Sequence, residues 1–322
     1  MKKKPLVSVR VVVYNSAKYI IDTLESIKQQ SYVNIELIVS DDKSTDNTVE
    51  ICNDWLRLNE YRFVRTKIIT TEKNTGVVGN CNRSLNECYG EWEIGLAGDD
   101  TLTPTAIEDF VNYIIQNPSA NVVLGCMIDV DAKGEIIQNF RRSLAGPFYC
   151  SETYSATDQF NIIKKCFSGF GAITFINTKL LKQLGGFDSR FPMLEDYPVF
   201  IKLTSCGNRV YWMPKYVLKY RHHDESITGG KGSDDVYFNN YRMREIIEYK
   251  YLYKREQLNA VWRLFLTINI LLEKLIINSG NRKSRLKTRI LFCLYKLLSP
   301  FEWYYRYIAI KQNRYNKKYV LE

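Results

Sequence analysis

The sequence predicts an α/β protein in which a mostly parallel central sheet, flanked by helices, is followed by a C-terminal helical extension. Over the first 100 residues, apolar runs of strand length alternate with amphipathic stretches of helix length, and the connections are short. This alternation is typical of βαβ units, which form parallel sheets. Basic residues also concentrate near the C-terminus, which indicates a second region of different character.

The first βαβ unit begins with the β-branched run VSVRVVVYN at residues 7–15. Residues 16–30 then carry Ile20, Leu24 and Ile27 at helical spacing, which predicts an amphipathic helix. The alternation continues with predicted strands at 35–42, 65–70 and 91–100 and predicted helices at 44–58 and 79–90.

The second half of the chain mixes strands and helices less regularly. Strands are predicted at 121–130 and 169–177, and an extended segment at 209–223 leads into a polar, glycine-rich loop at 224–235. Between the first two lies an irregular stretch to about residue 158, where a helix begins. Further helices are predicted at 178–187, 197–207, 241–257, 260–280 and 282–298.

The composition is that of a folded protein. Of 322 residues, 45% are hydrophobic and 25% are charged, close to average globular usage. Eight scattered cysteines form no C-x-x-C pair, so we expect reduced, cytosolic thiols and neither a zinc knuckle nor a disulfide framework. Because the sequence has no secretory h-region and no apolar run of spanning length, we expect neither export nor a transmembrane helix.

The net charge of +10 arises entirely near the C-terminus. Residues 241–322 contain 18 basic and 6 acidic residues, whereas the first 240 contain 27 and 29. Aromatic residues accompany this charge, an arrangement suited to an anionic lipid surface. A solvated tail or an oligomer contact is the alternative, and no motif supports nucleic-acid binding. The aromatic residues are Trp262, Trp303, Tyr304, Tyr305 and Tyr307.

Acidic residues follow two of the predicted strands. Asp41 and Asp42 end one strand, and Asp99 and Asp100 end another. In open α/β sheets, ligands bind beyond the carboxyl ends of the strands. Four converging carboxylates repel one another unless a cation or a donor-rich ligand joins them. The pattern therefore predicts a divalent cation with oxygen ligands at this edge.

Several stretches, in order, resemble the inverting GT-A glycosyltransferases of family 2, over about residues 6–228. Residues 7–32 are similar to that family's opening strand and helix, and IELIVSDDKSTDNT to its nucleotide-contacting strand end. GLAGDD resembles its metal-binding acidic motif, GGFDSRFPMLEDYPVFIKL its acceptor-side stretch, and YRHHDESIT its late histidine motif. The resemblance implies a GT-A fold and transfer of a sugar from a nucleotide-sugar donor.

On the donor side, the resemblance implies that Asp41 or Asp42 lies near the nucleotide base and ribose. A carboxylate can accept hydrogen bonds from N–H and O–H groups there. The alternative is a turn in which Asp42 or Ser44 caps the following helix. The resemblance also assigns Tyr14 and Asn74 to the donor site, whereas we expect a structural role for Asp46.

The resemblance implies that Asp99 binds Mn²⁺ or Mg²⁺ and that Asp100 lies beside the donor phosphates. Ala97 stands where the commonest family form has an acid, so the site must work without that carboxylate. The family pattern further aligns His223 with a metal or diphosphate ligand. Arg221 is a diphosphate clamp or, as the alternative, part of a structural ion pair.

The acidic pair Glu195 and Asp196 precedes a predicted helix on the acceptor side. By resemblance, Asp196 is the general base that deprotonates the attacking hydroxyl, and Glu195 positions the acceptor or caps the helix. A single base without a carboxylate nucleophile fits one displacement with inversion at the anomeric carbon.

These inferences predict a metal-dependent hexosyltransferase that uses a nucleotide-sugar, in particular a UDP-sugar. The resemblance favours a polyprenyl-diphosphate-linked acceptor in bacterial O-antigen or capsule synthesis. We expect a catalytic domain at 1–232 and a basic region at 233–322 that attaches the enzyme to the inner face of the cell membrane or mediates oligomerisation. The alternatives are a nucleotidyltransferase of similar fold and an inactive nucleotide-sugar-binding protein.

Overall fold

The computed structural model describes residues 4–137, 148–165, 171–226, 235–238 and 257–319. The chain divides into two compact units. The first, here called the catalytic unit, comprises Met1–Phe160 and Gly169–Arg221, and the second, the C-terminal unit, comprises Asn161–Ser168 and His222–Glu322. The predicted helix at 241–257 and most of the predicted loop at 224–235 lie outside the described residues.

An eight-stranded sheet forms the centre of the catalytic unit, with strand order β3-β2-β1-β4-β7-β6-β8-β5. Neighbours within β3-β2-β1-β4 are parallel, as are β6 and β8, whereas β7 runs antiparallel to β4 and β6, and β5 antiparallel to β8. The strands are β1 Val7–Val13, β2 Ile35–Asp41, β3 Arg65–Ile69, β4 Trp92–Ala97, β5 Thr101–Leu102, β6 Val122–Val130, β7 Thr174–Asn177 and β8 Tyr211–Arg221.

Amphipathic helices flank this sheet. Helix α1 buries Ile20, Leu24 and Ile27, as its spacing predicts. Helix α4 was not predicted, although its buried Phe110 stacks on Phe175 of β7 with ring centroids 4.9 Å apart. The helices are α1 Ile20–Lys28, α2 Thr48–Asn59, α3 Gly76–Asn86, α4 Ala106–Gln116, α5 Ala156–Ile163, α6 Thr178–Gln183 and α7 Asp196–Ser205.

The C-terminal unit contains helices α8 Ala260–Asn278, α9 Leu286–Leu298 and α10 Pro300–Tyr319. The first two were predicted as separate helices, whereas α10 falls within the predicted C-terminal helical extension without having been predicted as a helix of its own. Pro300 opens α10, a position at which its missing N–H costs no intrahelical hydrogen bond. Phe301 packs in a small core with Leu258 and Leu266. Among the described residues, none of the helices has the length and hydrophobicity needed to cross a membrane.

A buried ion pair joins β1 to β4 inside the catalytic unit. The Arg10 Nε lies 2.6 Å from a carboxylate oxygen of Glu93, and both side chains are 3% exposed. Arg10 also donates to the hydroxyl of Ser84 on α3. Since a buried charge is tolerated only with a partner, this pair fixes how α3 packs on the sheet.

We predict that Glu93→Ala destabilises the protein by about 3–5 kcal/mol, because it leaves the Arg10 charge buried without its carboxylate. Asp54→Ala provides the matched control: it breaks a pair with Arg57 whose side chain is 74% exposed, and it should cost no more than about 1 kcal/mol. Chemical denaturation measures both free energies of unfolding. Equal losses of unfolding free energy in the two variants would show that the buried pair stabilises the protein no more than the exposed pair does.

Candidate active site

Strand register brings the predicted donor residues to one edge of the sheet. Val13 pairs with Asp41 on one side, and Val12 pairs with Ala97 on the other. Because these strands are parallel, the residues that follow them emerge together beyond their carboxyl ends. Gly98 permits the close approach, since a Cβ there would lie 2.7 Å from a methyl carbon of Val13.

The Asp42 carboxylate organises the loop before α3. It accepts hydrogen bonds from the backbone N–H groups of Thr75 and Gly76 at 2.9 and 2.8 Å and from the Thr75 hydroxyl at 2.6 Å. Arg83 of α3 adds an ion pair at 2.7 Å. The Asp42 carboxylate therefore stabilises this loop. It does not cap α2, whose N-cap makes no side-chain hydrogen bond.

Asp41 differs from Asp42 because it retains an acceptor atom. One carboxylate oxygen accepts the Ser44 N–H at 3.0 Å, whereas the other, Oδ1, is buried and has no hydrogen-bond partner among the described residues. A buried acceptor of this kind favours a ligand donor beside it. Of the two aspartates, the geometry therefore favours Asp41 for contact with a ligand.

The other predicted donor residues lie at exposed positions. Tyr14, directly after β1, has a side chain that is 50% exposed. Asn74 is also exposed, and its side-chain oxygen accepts the N–H of Gly76 at 3.0 Å. Asp46 has the expected structural role, since its carboxylate accepts the N–H groups of Thr48 and Ala17.

Asp99 and Asp100 follow β4 as a pair of interacting carboxylates. Asp100 is 1% exposed, and burial, followed by the charge of Asp99, raises its pKa well above the ordinary value. A buried carboxyl group whose ionisation is disfavoured by the charge of its neighbour fits a divalent cation, which would relieve that repulsion. Within the part of the chain that the structure describes, no three His, Cys, Asp or Glu side chains form a ready metal cluster.

Arg221, at the end of β8, is engaged with the protein. Its backbone N–H donates to the Asp100 carboxylate at 2.9 Å, and its guanidinium donates to the carbonyl oxygens of Asp99 and Ala132 and to the Asp22 carboxylate. These contacts favour the structural ion pair over the diphosphate clamp. The arginine holds the β4 acidic turn against β8.

The acidic pair lies where α7 begins. Asp196 is the first residue of the helix, and one of its oxygens accepts the Tyr197 N–H at 2.7 Å. The expectation that Glu195 caps α7 is wrong, because its side chain makes no capping hydrogen bond. Burial, and then the charge of Asp196, raises the pKa of Glu195 to about 8. At neutral pH, Glu195 therefore favours its protonated form.

One backbone contact connects the donor side to the acidic pair. The N–H of Val78, in the first turn of α3, donates to the carbonyl oxygen of Pro192 at 2.9 Å. Gly76, with φ of +79°, packs on the same carbonyl, and a Cβ there would lie 3.0 Å from it. The loop organised by Asp42 thus supports the segment that leads into Glu195.

His222 and His223 directly follow β8 and belong to the C-terminal unit. Within its own turn, His223 accepts the N–H of Glu225 at Nδ1, 3.3 Å away. A neutral ring in this arrangement carries its proton on Nε2. Ligation of a metal ion through Nε2 would require the tautomer that carries its proton on Nδ1. The role of His223 as a metal ligand stays a prediction.

Sequence reasoning missed Arg83 and Pro192 as parts of the site. Arg83 lies inside an apparently ordinary helix, 41 residues from its carboxylate partner. Pro192 acts through its backbone carbonyl, which carries no residue-type signal. The two neighbouring sequence features that could have pointed here are the Asn-Thr-Gly turn at 74–76 and the acidic pair itself.

Comparison with known proteins defines the class. The chain belongs to glycosyl transferase family 2, whose model matches residues 8–185. It is therefore a glycosyltransferase, as predicted, rather than a nucleotidyltransferase.

Curated relatives agree with this family. The chain is 28% identical over 228 residues to an uncharacterised glycosyltransferase of Haemophilus influenzae, covering 69% of this chain and 67% of the relative. It is 28% identical to the Escherichia coli UDP-Glc:alpha-D-GlcNAc-diphosphoundecaprenol beta-1,3-glucosyltransferase WfgD, covering 70% and 81%. Glycosyltransferase GlyG of Streptococcus pneumoniae is 31% identical over 48% of this chain and only 49% of its own length.

Solved structures match the fold. S. aureus TarS 1–349 has a TM-score of 0.58 at 19% identity, covering 91% of this chain and 81% of TarS. Its complex with UDP-GlcNAc has a TM-score of 0.56, covering 97% and 92%. A mannosyltransferase of Pyrobaculum calidifontis, solved with GDP-Man and Mn²⁺, has a TM-score of 0.51 at 17% identity, covering 99% and 76%. These likenesses confirm the predicted GT-A fold.

We predict that Gly76→Ala weakens both stability and activity, because the new methyl group meets the Pro192 carbonyl. Gly207→Ala is the matched control: Gly207 has nearly the same φ of +81°, but nothing lies within 4 Å of a Cβ there. The shared backbone strain should cost about 1–2 kcal/mol in each variant. Thermal melting and steady-state kinetics should show an additional loss, with kcat/KM reduced at least roughly tenfold, only in Gly76→Ala. Equal behaviour of the two variants would contradict a role for this contact.

A second prediction concerns the pH dependence of stability. Because the folded-state pKa of Glu195 is raised from 4.5 to about 8, its contribution is fully present below pH 4.5 and is lost as the pH rises through 8. Glu195→Gln, which stays neutral, should melt like the wild type at pH 4.5 and at a higher temperature at pH 8.5. A wild-type melting temperature that stays parallel to that of the variant across this range would refute the raised pKa.

Proposed function

We propose that this glycosyltransferase is a metal-dependent inverting enzyme that transfers a single hexose from a UDP-sugar to a hydroxyl group of a lipid-linked glycan. The observation that carries the proposal is the strand register that flanks Val13 with Asp41 on one side and the turn leading to Asp99 on the other. The Asp41 carboxylate is thereby available to the nucleoside. The Asp99 carboxylate is available to a metal ion at the diphosphate.

For the donor, the proposal assigns Asp41 Oδ1 to the nucleobase or ribose and the exposed ring of Tyr14 to a stacking contact. Asn74 borders the same site on the loop that Asp42 holds. UDP is favoured as the nucleotide because the TarS fold has been solved with UDP and with UDP-GlcNAc. In this proposal, Asp100 and Arg221 contribute by holding in place the turn that carries Asp99.

For the metal, the proposal assigns Asp99 as the protein ligand of Mn²⁺ or Mg²⁺, with His223 as a further candidate. The interacting carboxylates of Asp99 and Asp100 fit such an ion. When bound, the cation acts as a Lewis acid that offsets the charge of the departing nucleoside diphosphate. A solved mannosyltransferase of similar fold contains Mn²⁺.

For the transfer, the proposal assigns Asp196 as general base. Burial and the charge of Asp196 favour the protonated form of Glu195 at neutral pH, and the proposal gives the Asp196 carboxylate the task of taking the proton of the acceptor hydroxyl. The hydroxyl oxygen forms a bond to the anomeric carbon while the bond to the nucleoside diphosphate breaks, which inverts that carbon. Protonated Glu195 can donate a hydrogen bond and thereby position the acceptor.

For the acceptor, the name of WfgD specifies a diphosphoundecaprenol-linked sugar, and WfgD matches 70% of this chain. We therefore propose a polyprenyl-diphosphate-linked acceptor and a role in bacterial O-antigen or capsule assembly. The catalytic domain would span 1–232, and residues 233–322 would attach it to the inner face of the cell membrane, with oligomerisation as the alternative.

We predict that Asp196→Asn lowers turnover by about 10²–10⁴-fold while donor affinity changes little, because the amide keeps the shape and removes the basic lone pair. Turnover is measured with labelled UDP-sugars and a lipid-linked acceptor, and UDP affinity by calorimetry. Residual turnover above roughly a tenth of the wild-type value would remove Asp196 as the base.

We also predict that Mn²⁺ strengthens UDP binding to the wild type and that Asp99→Asn abolishes this gain. Calorimetry with and without Mn²⁺ measures both proteins, and their metal-free affinities serve as the control for an intact nucleotide site. A wild-type UDP affinity that Mn²⁺ leaves unchanged would overturn the metal assignment.

A further inference from the structure

Helix α8 exposes aliphatic side chains to solvent. Val261, Leu264, Ile268, Leu271 and Leu275, here called the α8 stripe, are 37–60% exposed. Their spacing of three or four residues places them within an arc of about 80° on the helix. The stripe runs for about 21 Å along the helix axis, at 1.5 Å per residue.

The opposite face of α8 buries polar groups. Asn269 donates to the Ser299 hydroxyl at 3.0 Å, and Glu273 accepts the Tyr295 hydroxyl at 3.1 Å. Both side chains are essentially buried. A helix whose outward face meets only water normally has the reverse arrangement. The contacts of Asn269 and Glu273 fix the rotation of α8, so the helix cannot turn its stripe inward without leaving these groups unpaired.

Basic residues far outnumber acidic residues in the described C-terminal helices. Residues 257–319 contain 13 basic and two acidic residues. The acidic residues, Glu273 and Glu302, are both buried. On α8 itself, exposed Arg263 and Lys274 border the stripe. The exposed surface of these helices thus combines aliphatic side chains with positive charge and offers no carboxylate.

We infer that the α8 stripe binds the surface of an anionic lipid bilayer, with the helix lying in the plane of the headgroups. Aliphatic burial would draw the stripe into the acyl boundary, while Arg263 and Lys274 meet anionic headgroups. A second copy of the chain fits less well. In an antiparallel pair centred near Ile268, Arg263 of one copy would approach Lys274 of the other, which brings like charges together.

The inference deepens the proposed action on a lipid-linked acceptor and rests on it only for its biological purpose. Vesicle binding is therefore measured without donor or acceptor, so that its result is independent of catalysis. The full-length chain is floated with vesicles of phosphatidylglycerol and phosphatidylcholine, and with vesicles of phosphatidylcholine alone.

The decisive variant is Leu264→Gln/Leu271→Gln, which removes two aliphatic side chains from the stripe without changing charge. Leu58→Gln/Val64→Gln is the matched control, because both residues are exposed apolar residues of the catalytic unit. We expect the stripe variant to lose at least roughly tenfold in partition onto anionic vesicles and the control to stay within about twofold of the wild type. Circular dichroism verifies that all variants remain folded.

A charge variant tests the second component of binding. Arg263→Gln/Lys274→Gln should lose roughly tenfold on anionic vesicles at low salt, and the loss should shrink as salt screens the wild-type attraction. Activity on a short soluble acceptor should be the same in the wild type and the stripe variant. If the wild type transfers no sugar but still floats in a stripe-dependent way, the proposed function fails and the inference stands.

Two results would overturn the inference. The first is flotation of the stripe variant that equals that of the wild type. The second is a wild-type dimer in sedimentation equilibrium that the stripe substitutions dissociate while flotation is unchanged, which would show that a second copy covers the stripe.

Discussion

The site depends on the hydrogen bonds and the ion pair that the Asp42 carboxylate makes. This carboxylate lies just beyond β2 and gathers two backbone N–H groups, one hydroxyl and the Arg83 guanidinium. A carboxylate with this number of donors is well stabilised when buried, whereas its donors would be left unpaired without it. Through Gly76 and the Pro192 carbonyl, the same loop supports the segment before the acidic pair.

The site uses its acidic residues in adjacent pairs, and the two members of each pair differ. Asp42 holds a loop, whereas Asp41 retains a buried acceptor atom. Asp100 is buried and receives the Arg221 N–H, whereas Asp99 is only half-buried. In each pair, one carboxyl shapes the protein and its neighbour is the one that the proposed function assigns to ligand or metal.

The third pair follows the same division through protonation. Glu195 keeps a proton at neutral pH because burial and the adjacent Asp196 raise its pKa. Two neighbouring carboxyl groups can then lie side by side without full mutual repulsion. The C-terminal unit shows a different use of buried polar groups, since Asn269 and Glu273 orient α8 so that its aliphatic residues face outward.

Much of the fold and part of the site followed from the sequence alone. Local periodicity marked most strands and helices, because side-chain burial repeats every two or 3.6 residues. The sequence also has acidic residues where two predicted strands end. Parallel strands bring those ends to one edge of the sheet. Helix α4 was nevertheless overlooked, although it buries Ile107 and Phe110 on one face. Helix α10 carries a weaker signal, since many aromatic and basic residues interrupt its apolar pattern.

The sequence by itself determined the α/β class, the family resemblance and the identity of the acidic pairs, because each of these is written in short contiguous stretches. Only the tertiary structure decided which acid of a pair is engaged and that Arg221 is held by carbonyl groups. It also decided that Gly76 rests on Pro192 and that α8 turns its aliphatic side outward. These features depend on hydrogen bonds and packing between residues distant in the chain, often through backbone atoms. The local spacing of residues in the sequence therefore does not predict such contacts.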